Sequence, residues 1–300
     1  MDPYLNTALT SYISDRIGFR NQFILGYTVL YDKIFHEMKH PTYTYGKDGY
    51  VFFHMGQNTE YSRFHDDYIA MILQIKEYCD DRDIPCYFMF EPSKVSVLKQ
   101  YLPAGVNYNR DWVDKMLQKM RDMGIKVVDN TELLSTLEAN GTVVFNKKYN
   151  AGHWNDLGAY YGVNHLLGAM KNDGLNISEN DINDFEVSEK LETTLQVSEF
   201  PIKEKEPIID THVGDKESLY DLYAAEVERH PSFQGFSYYI NDEKKNSPKL
   251  LIFQGSYMNG MGYKFLSNAF SEYIAVHDYQ NTINFDYYYK FSSDIIACNL

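Results

Sequence analysis

Only three cysteines, Cys79, Cys86 and Cys298, occur in 300 residues, and none forms a CxxC pair. An odd and scattered set excludes a full disulfide framework and argues against a zinc site. No apolar run reaches the roughly 18 residues that a membrane-spanning helix needs. No apolar signal-peptide core precedes the first predicted helix either. Basic residues are also in deficit: 28 Lys and Arg face 42 Asp and Glu, a formal charge of -14. That balance excludes the basic footprint that nucleic acid requires, so no nucleic-acid partner is expected. Low-complexity tracts and internal repeats are missing. What remains is 44% apolar and 16% aromatic, with 27 tyrosines, the composition of a folded chain long enough to bury a full core.

Apolar spacing predicts a helical segment over 4–37, ended by Pro41, and "YGKDGYVFF" reads as a turn into a short strand. A helix from about 63 to 80 leads to the buried strand "IPCYFMFEP". A helix near 109–123 leads to "IKVVDN", a second buried strand. "NGTVVFNKK" reads as a hairpin or edge strand. Helix 156–171 follows, with Asn155 as its N-cap and Gly174 near its end. Residues 172–247 are polar and irregular, the signature of an insertion or peripheral subdomain. "PKLLIFQGSYMNGMG" then gives a strand, a Gly-Ser turn and a helix near 261–271, and "EYIAVHDY" and "DIIAC" supply two further strands. Alternating strands and helices predict one α/β three-layer domain over 1–300 with a mostly parallel central sheet.

Two residues carry candidate chemistry. In open α/β sheets, ligands bind beyond the carboxyl ends of the strands. Ser256 lies just past such an end, Gly255 permits the sharp turn, and the following helix offers N–H groups to a developing oxyanion. His153 opens another helix 103 residues earlier and can face the same sheet edge as a base. Each alone has an ordinary structural reading, a turn serine and a packed histidine beside Trp154. Asn155 and Tyr257 flank the pair and, with Gly255 and Trp154, are candidates for substrate or oxyanion contacts, with capping and packing as the alternative. His65, Asp66 and Asp67 lie together but have no second histidine at ligand spacing, so they read as a solvated helix start and no metal is expected. Glu91 and Lys94 end a strand, at a cleft rim or as a surface pair.

Six blocks in order resemble the AlgX/AlgJ-type SGNH-hydrolase-like polysaccharide O-acetyltransferases and their Gram-positive relatives. They are "YISDRIGFRNQFI" at 12–24, "YGKDGYVFF" at 45–53, "FMFEPSKVSVLKQYLP" at 88–103, "GIKVVDNTELL" at 124–134, "AGHWNDLGAYYG" at 151–162 and "KLLIFQGSYMN" at 249–259. The resemblance implies an SGNH-like fold with circularly permuted motif order, the histidine preceding the serine. It implies Ser256 as nucleophile, His153 as general base, and an acetyl group passing through a Ser-linked intermediate to a hydroxyl of an exported polysaccharide. An acetyl esterase of the same glycan would use the same residues, and a glycan-binding or assembly protein could keep the fold without catalysis. No cofactor is implied. The partners implied are the glycan and a membrane-bound acyltransferase supplying acetyl groups. The expected location is the cell-surface side of a bacterial membrane, with an N-terminal anchor outside these 300 residues.

Two departures from the pattern matter. The serine block reads Gln254-Gly255-Ser256, without the family's acid between glycine and serine. The family's orienting aspartate, two residues before the histidine, corresponds to Ala151. Asn150 is the nearest polar residue and is expected to occupy the acid's role, as a natural residue or in place of an aspartate. Asp156 or Asp129 could serve instead, or the chain could be a weakened homologue. In serine proteases the corresponding Asp-to-Asn change costs about 10⁴ in kcat.

Overall fold

The computed structural model describes residues 20–54, 60–213, 236–277 and 294–299. Within them, α1 (Arg20–Phe35) leads to the hairpin β1 (Tyr43–Tyr45) and β2 (Val51–Phe53). Then follow α2 (Arg63–Asp80), β3 (Cys86–Phe90), the single turn α3 (Lys94–Val97), α4 (Asp111–Asp122), β4 (Lys126–Asp129), α5 (Thr131–Ala139) and α6 (Asp156–Asn172). The chain continues with the hairpin β5 (Glu186–Thr194) and β6 (Pro201–Asp210). It ends with β7 (Phe236–Ile240), β8 (Lys249–Gln254), α7 (Tyr263–Ala269), β9 (Glu272–His277) and β10 (Ile295–Asn299).

The central sheet runs β4-β3-β10-β8-β9-β7, parallel except for β7, which pairs antiparallel with β9. Its inner strands β3, β10, β8 and β9 are buried along almost their whole length because both faces of the sheet are covered. Leu250 and Ile252 of β8 face one cluster with Ala159, Val163 and Leu167 of α6 and Phe265 of α7. Leu251 and Phe253 face the other, with Ile69 and Ile72 of α2 and Met116 and Met120 of α4. These are the three layers expected. In α4, Val113, Met116, Leu117 and Met120 form the buried stripe, with Asp111 and Asp114 at the start and Lys119 and Arg121 at the end, matching the helix dipole.

Three expectations change. Residues 140–155 form no strand; they cross from α5 to α6 as an irregular loop. Helix α5 stands where no helix was expected. The 172–247 segment is not wholly peripheral, since β7 forms an edge of the main sheet. The predicted helix over 4–37 is described from Arg20 to Phe35, and residues 4–19 lie outside the described residues. Cys79, Cys86 and Cys298 are all free and buried.

Candidate active site

Ser256 follows the carboxyl end of β8 and stands exposed as the first residue of a helical stretch that runs to Ala269. That stretch contains a π-turn at Met258–Gly262 before settling into α7, a local irregularity found often at functional sites. The burial of β8 on both sides sets the position of the serine.

His153 sits on the α5–α6 loop, which has no ladder of its own and is held by side chains. Glu138 accepts from the amides of Val144 and Phe145 at 2.8 and 2.9 Å. Glu204 of β6 accepts from the amides of Lys147, Lys148 and Tyr149 at 2.6–2.8 Å. Asn150 Oδ1 accepts from the amides of Gly152 and His153 at 3.0 and 2.9 Å. Asn155 caps α6, its Oδ1 accepting from the Gly158 amide. Trp154 is wholly buried and lies on a groove of α6 made by glycine: a Cβ at position 162 would stand 2.5 Å from the indole, and one at 158 would stand 2.8 Å from the Trp154 Cβ. The sequence "GHWNDLGAYYG" thus encodes an anchor, with the tryptophan seated one turn apart on two helical glycines.

These two elements meet. His153 Nε2 is 2.8 Å from Ser256 Oγ. Tyr257 clamps the junction: its hydroxyl donates to the Gly152 carbonyl at 3.0 Å, its ring lies 4.3 Å from the His153 ring, and its carbonyl accepts from Trp154 Nε1 at 3.1 Å. Burial holds the His153 pKa below its usual value, which favours the neutral imidazole. With the ring proton on Nδ1, Nε2 is free to accept the Ser256 hydroxyl proton.

The expected orienting groups lie elsewhere. Asn150 spends its oxygen on backbone amides, so it shapes the turn beneath His153 and does not touch the ring. Asp156 is buried and pairs with Lys264 at 2.7 Å while accepting from the Ile209 amide. Asp129 pairs with Arg110 and Thr131. Ala151 packs among Met38, Tyr43, Val51, Leu195 and Phe200. Among the described residues, no side chain bonds His153 Nδ1. Asn155 and Trp154 are cap and anchor, too buried to meet substrate, whereas Tyr257 is partly exposed beside the pair and Gly255 is buried in the turn. Glu91 and Lys94 are both buried, so neither is a rim or surface residue.

A second histidine–serine contact, His40 Nε2 to Ser198 Oγ at 3.0 Å, has the opposite chemistry. His40 Nδ1 accepts from the Thr42 and Tyr43 amides, which puts the proton on Nε2 and makes His40 a donor to Ser198. His65, of the "HDD" cluster, accepts from the Ser62 amide in a capping box. Among the described residues no His, Cys, Asp or Glu group could hold a metal ion. Sequence reasoning put Lys94 at a rim or surface and missed Glu204; a lysine and a glutamate give no local signal when their targets are backbone groups 43 to 57 residues away.

The model of the SGNH hydrolase-like domain of acetyltransferase AlgX matches residues 44–196, just over half of the chain. Solved structures share the fold. PatB1 of Bacillus cereus is 13% identical, with a TM-score of 0.65 over 84% of this chain and 93% of that one. A DHHW family protein from Eubacterium siraeum is 14% identical, with a TM-score of 0.61 over 88% and 91%. The O-acetyltransferase domain of Pseudomonas putida AlgJ is 13% identical, with a TM-score of 0.59 over 87% and 91%. No curated protein sequence matches. Among the described residues, no helix is long and apolar enough to cross a membrane. With the permuted histidine-before-serine order, the three-layer sheet and this match together, the chain belongs to the AlgX family of SGNH hydrolase-like acetyltransferases.

Proposed function

We propose that this protein transfers acetyl groups to hydroxyls of an exported bacterial polysaccharide through an acetyl-serine intermediate. The observation that carries the reading is the 2.8 Å contact between His153 Nε2 and Ser256 Oγ at the carboxyl edge of β8. As Ser256 Oγ bonds to the acyl carbon of a donor, its proton passes to His153 Nε2 and the carbonyl electrons move to oxygen. The Ser256 amide, at the start of the helical stretch, faces this developing charge together with the helix dipole. Collapse expels the donor's leaving group, which takes the proton from His153. A sugar hydroxyl then attacks the acetyl-serine and gives its proton to His153, which passes it to Ser256 Oγ as the C–O bond to the serine breaks. Water in place of the sugar makes the same site an acetyl esterase. The donor in this reading is a membrane-bound acyltransferase on the cell-surface side of the membrane.

A second reading, a glycan-binding or assembly protein without turnover, is favoured by the lack of any bond to His153 Nδ1 among the described residues. An imidazolium formed there gains no carboxylate stabilisation, which weakens the base. Intact-mass spectrometry after incubation with 4-nitrophenyl acetate separates the two. The catalytic reading expects a gain of about 42 Da, one acetyl group, that is lost in Ser256→Ala and slowed in His153→Ala. An unmodified protein that also fails to release 4-nitrophenol supports the binding role.

A further inference from the structure

Lys94 is fully buried, yet it carries an amine into the heart of the loop that presents His153. It opens α3, four residues after the carboxyl end of β3. Its Nζ donates to the carbonyls of Val51 at 2.8 Å, Lys147 at 3.0 Å and Asn150 at 3.0 Å. An ammonium has three protons and no acceptor, so three carbonyls match the charged form; a neutral amine would turn a lone pair on one of them. The rings of Phe52 and Tyr50 lie 5.2 and 5.9 Å from Nζ, a further site for a cation. The main chain adds a fourth tie, as the Lys94 amide donates to the Gly152 carbonyl at 2.9 Å, the same oxygen that accepts from Tyr257.

The Asn150 bond leads to the histidine. The Asn150 carbonyl is fixed by Lys94, and the Asn150 side chain fixes the His153 amide. Lys94 is one of several ties on this loop, beside Glu138 and Glu204, and the one whose side chain holds the Asn150 carbonyl. We propose that Lys94 is a positioning residue whose ammonium, seated on the Val51, Lys147 and Asn150 carbonyls, fixes His153 at bonding distance from Ser256. This rests on the reading of Ser256 and His153 as nucleophile and base.

The charges that face Lys94 come from three elements. Glu204 of β6 and Glu138 of α5 favour its charged form, against a burial that pushes its pKa down to about 7. Lys147, on the loop, places its own ammonium 5.3 Å from the Tyr50 ring. Ionisation of His153 and Lys94 together gives a bell-shaped rate profile. Activity rises as His153 loses its proton below its usual pKa. It falls as Lys94 loses its proton above about pH 7, when one carbonyl is left without a donor.

The test measures kcat and KM for 4-nitrophenyl acetate from about pH 5.5 to about pH 9 on the wild type, Lys94→Met and Ser256→Ala, with circular dichroism and urea unfolding as checks of folding. A folded Lys94→Met is expected to lose about 10²-fold in kcat, the order that follows from misplacing a catalytic group by about 1 Å. KM should stay within about twofold, and the alkaline limb should disappear, which a general loss of stability would not produce. A folded Lys94→Met with wild-type kcat, or with the alkaline limb intact, overturns the proposal. Should Lys94→Met not fold, the wild type decides: the Lys94 side chain is titrated by NMR beside the rate profile, a kcat that falls as Lys94 itself loses its proton supports the role, and a kcat unchanged through that titration overturns it. Ser256→Ala as active as the wild type removes the catalytic reading itself, and this proposal with it, and is distinguishable from failure at Lys94 alone.

Discussion

Gly162 offers a test of the tryptophan anchor in which the usual rule should reverse. Replacing glycine by alanine inside a helix normally stabilises it by about 1 kcal/mol, because alanine loses less backbone freedom on folding. At Gly168, in the same helix, a new Cβ would meet only the Glu179 carboxyl at ordinary contact distance, 3.7 Å. Gly168→Ala should therefore raise stability by up to about 1 kcal/mol. At Gly162 the new Cβ would stand 2.5 and 3.0 Å from two carbons of the Trp154 indole and 3.2 Å from Asn130 Nδ2. The indole is wholly buried and bonded through Nε1 to the Tyr257 carbonyl, so it has no free end to swing away. Overpacking of this kind costs about 1–3 kcal/mol. After subtracting the helix gain, Gly162→Ala should lose up to about 2 kcal/mol. Since Trp154 adjoins His153, the shift should also reduce turnover of 4-nitrophenyl acetate. Urea unfolding of the two variants beside the wild type, with equal slopes, measures the difference directly. If Gly162→Ala proves as stable and as active as Gly168→Ala, the packing argument for the anchor is wrong.

Two further outcomes follow from buried charge. Lys264→Met leaves the Asp156 carboxylate buried with the Ile209 amide as its remaining partner, and should cost about 3–5 kcal/mol in urea unfolding; a loss under about 1 kcal/mol would mean water reaches this pair. Glu206 accepts from Asn146, but burial first, and then its neighbour Glu192, raises its pKa to about 7. In the fold it binds a proton that the unfolded chain releases near its ordinary value, so its contribution is present in acid and lost as pH rises toward 7. Glu206→Gln should raise the melting temperature at about pH 8 and leave it nearly unchanged near pH 4.5; a gain of equal size at both values would exclude the carboxyl as the cause.

Where local physics decides, the sequence is legible. Helix α6 follows from its apolar spacing, its Asn155 cap and its terminal Gly174, whose φ of +89° suits glycine. The continuous apolar run of β8 announces a strand covered on both faces, and the serine beyond it follows from topology. The failures share one origin. "TVVF" looks like a strand because Val144 and Phe145 are apolar and buried, but their amides bond the Glu138 carboxylate and no strand pairs with them. Asn150 reads as a stand-in for an acid because it lies near His153 in sequence, yet its oxygen is consumed by the turn itself. The insertion of β10 between β3 and β8 joins residues about 210 positions apart in register, and no local pattern carries that pairing.

The β5–β6 hairpin bears on where this domain can be cut. The family match stops at residue 196, inside the turn between the two strands, and most of the outward side of the hairpin is solvent. A truncation at that boundary would nonetheless remove Glu204 and Glu206, leaving the amides of Lys147, Lys148 and Tyr149 and the side chain of Asn146 without their acceptors. A unit that presents His153 correctly needs β6 through Asp210 as well as the Tyr257 clamp beyond it. A minimal domain drawn from family boundaries alone would keep the histidine and discard its foundation.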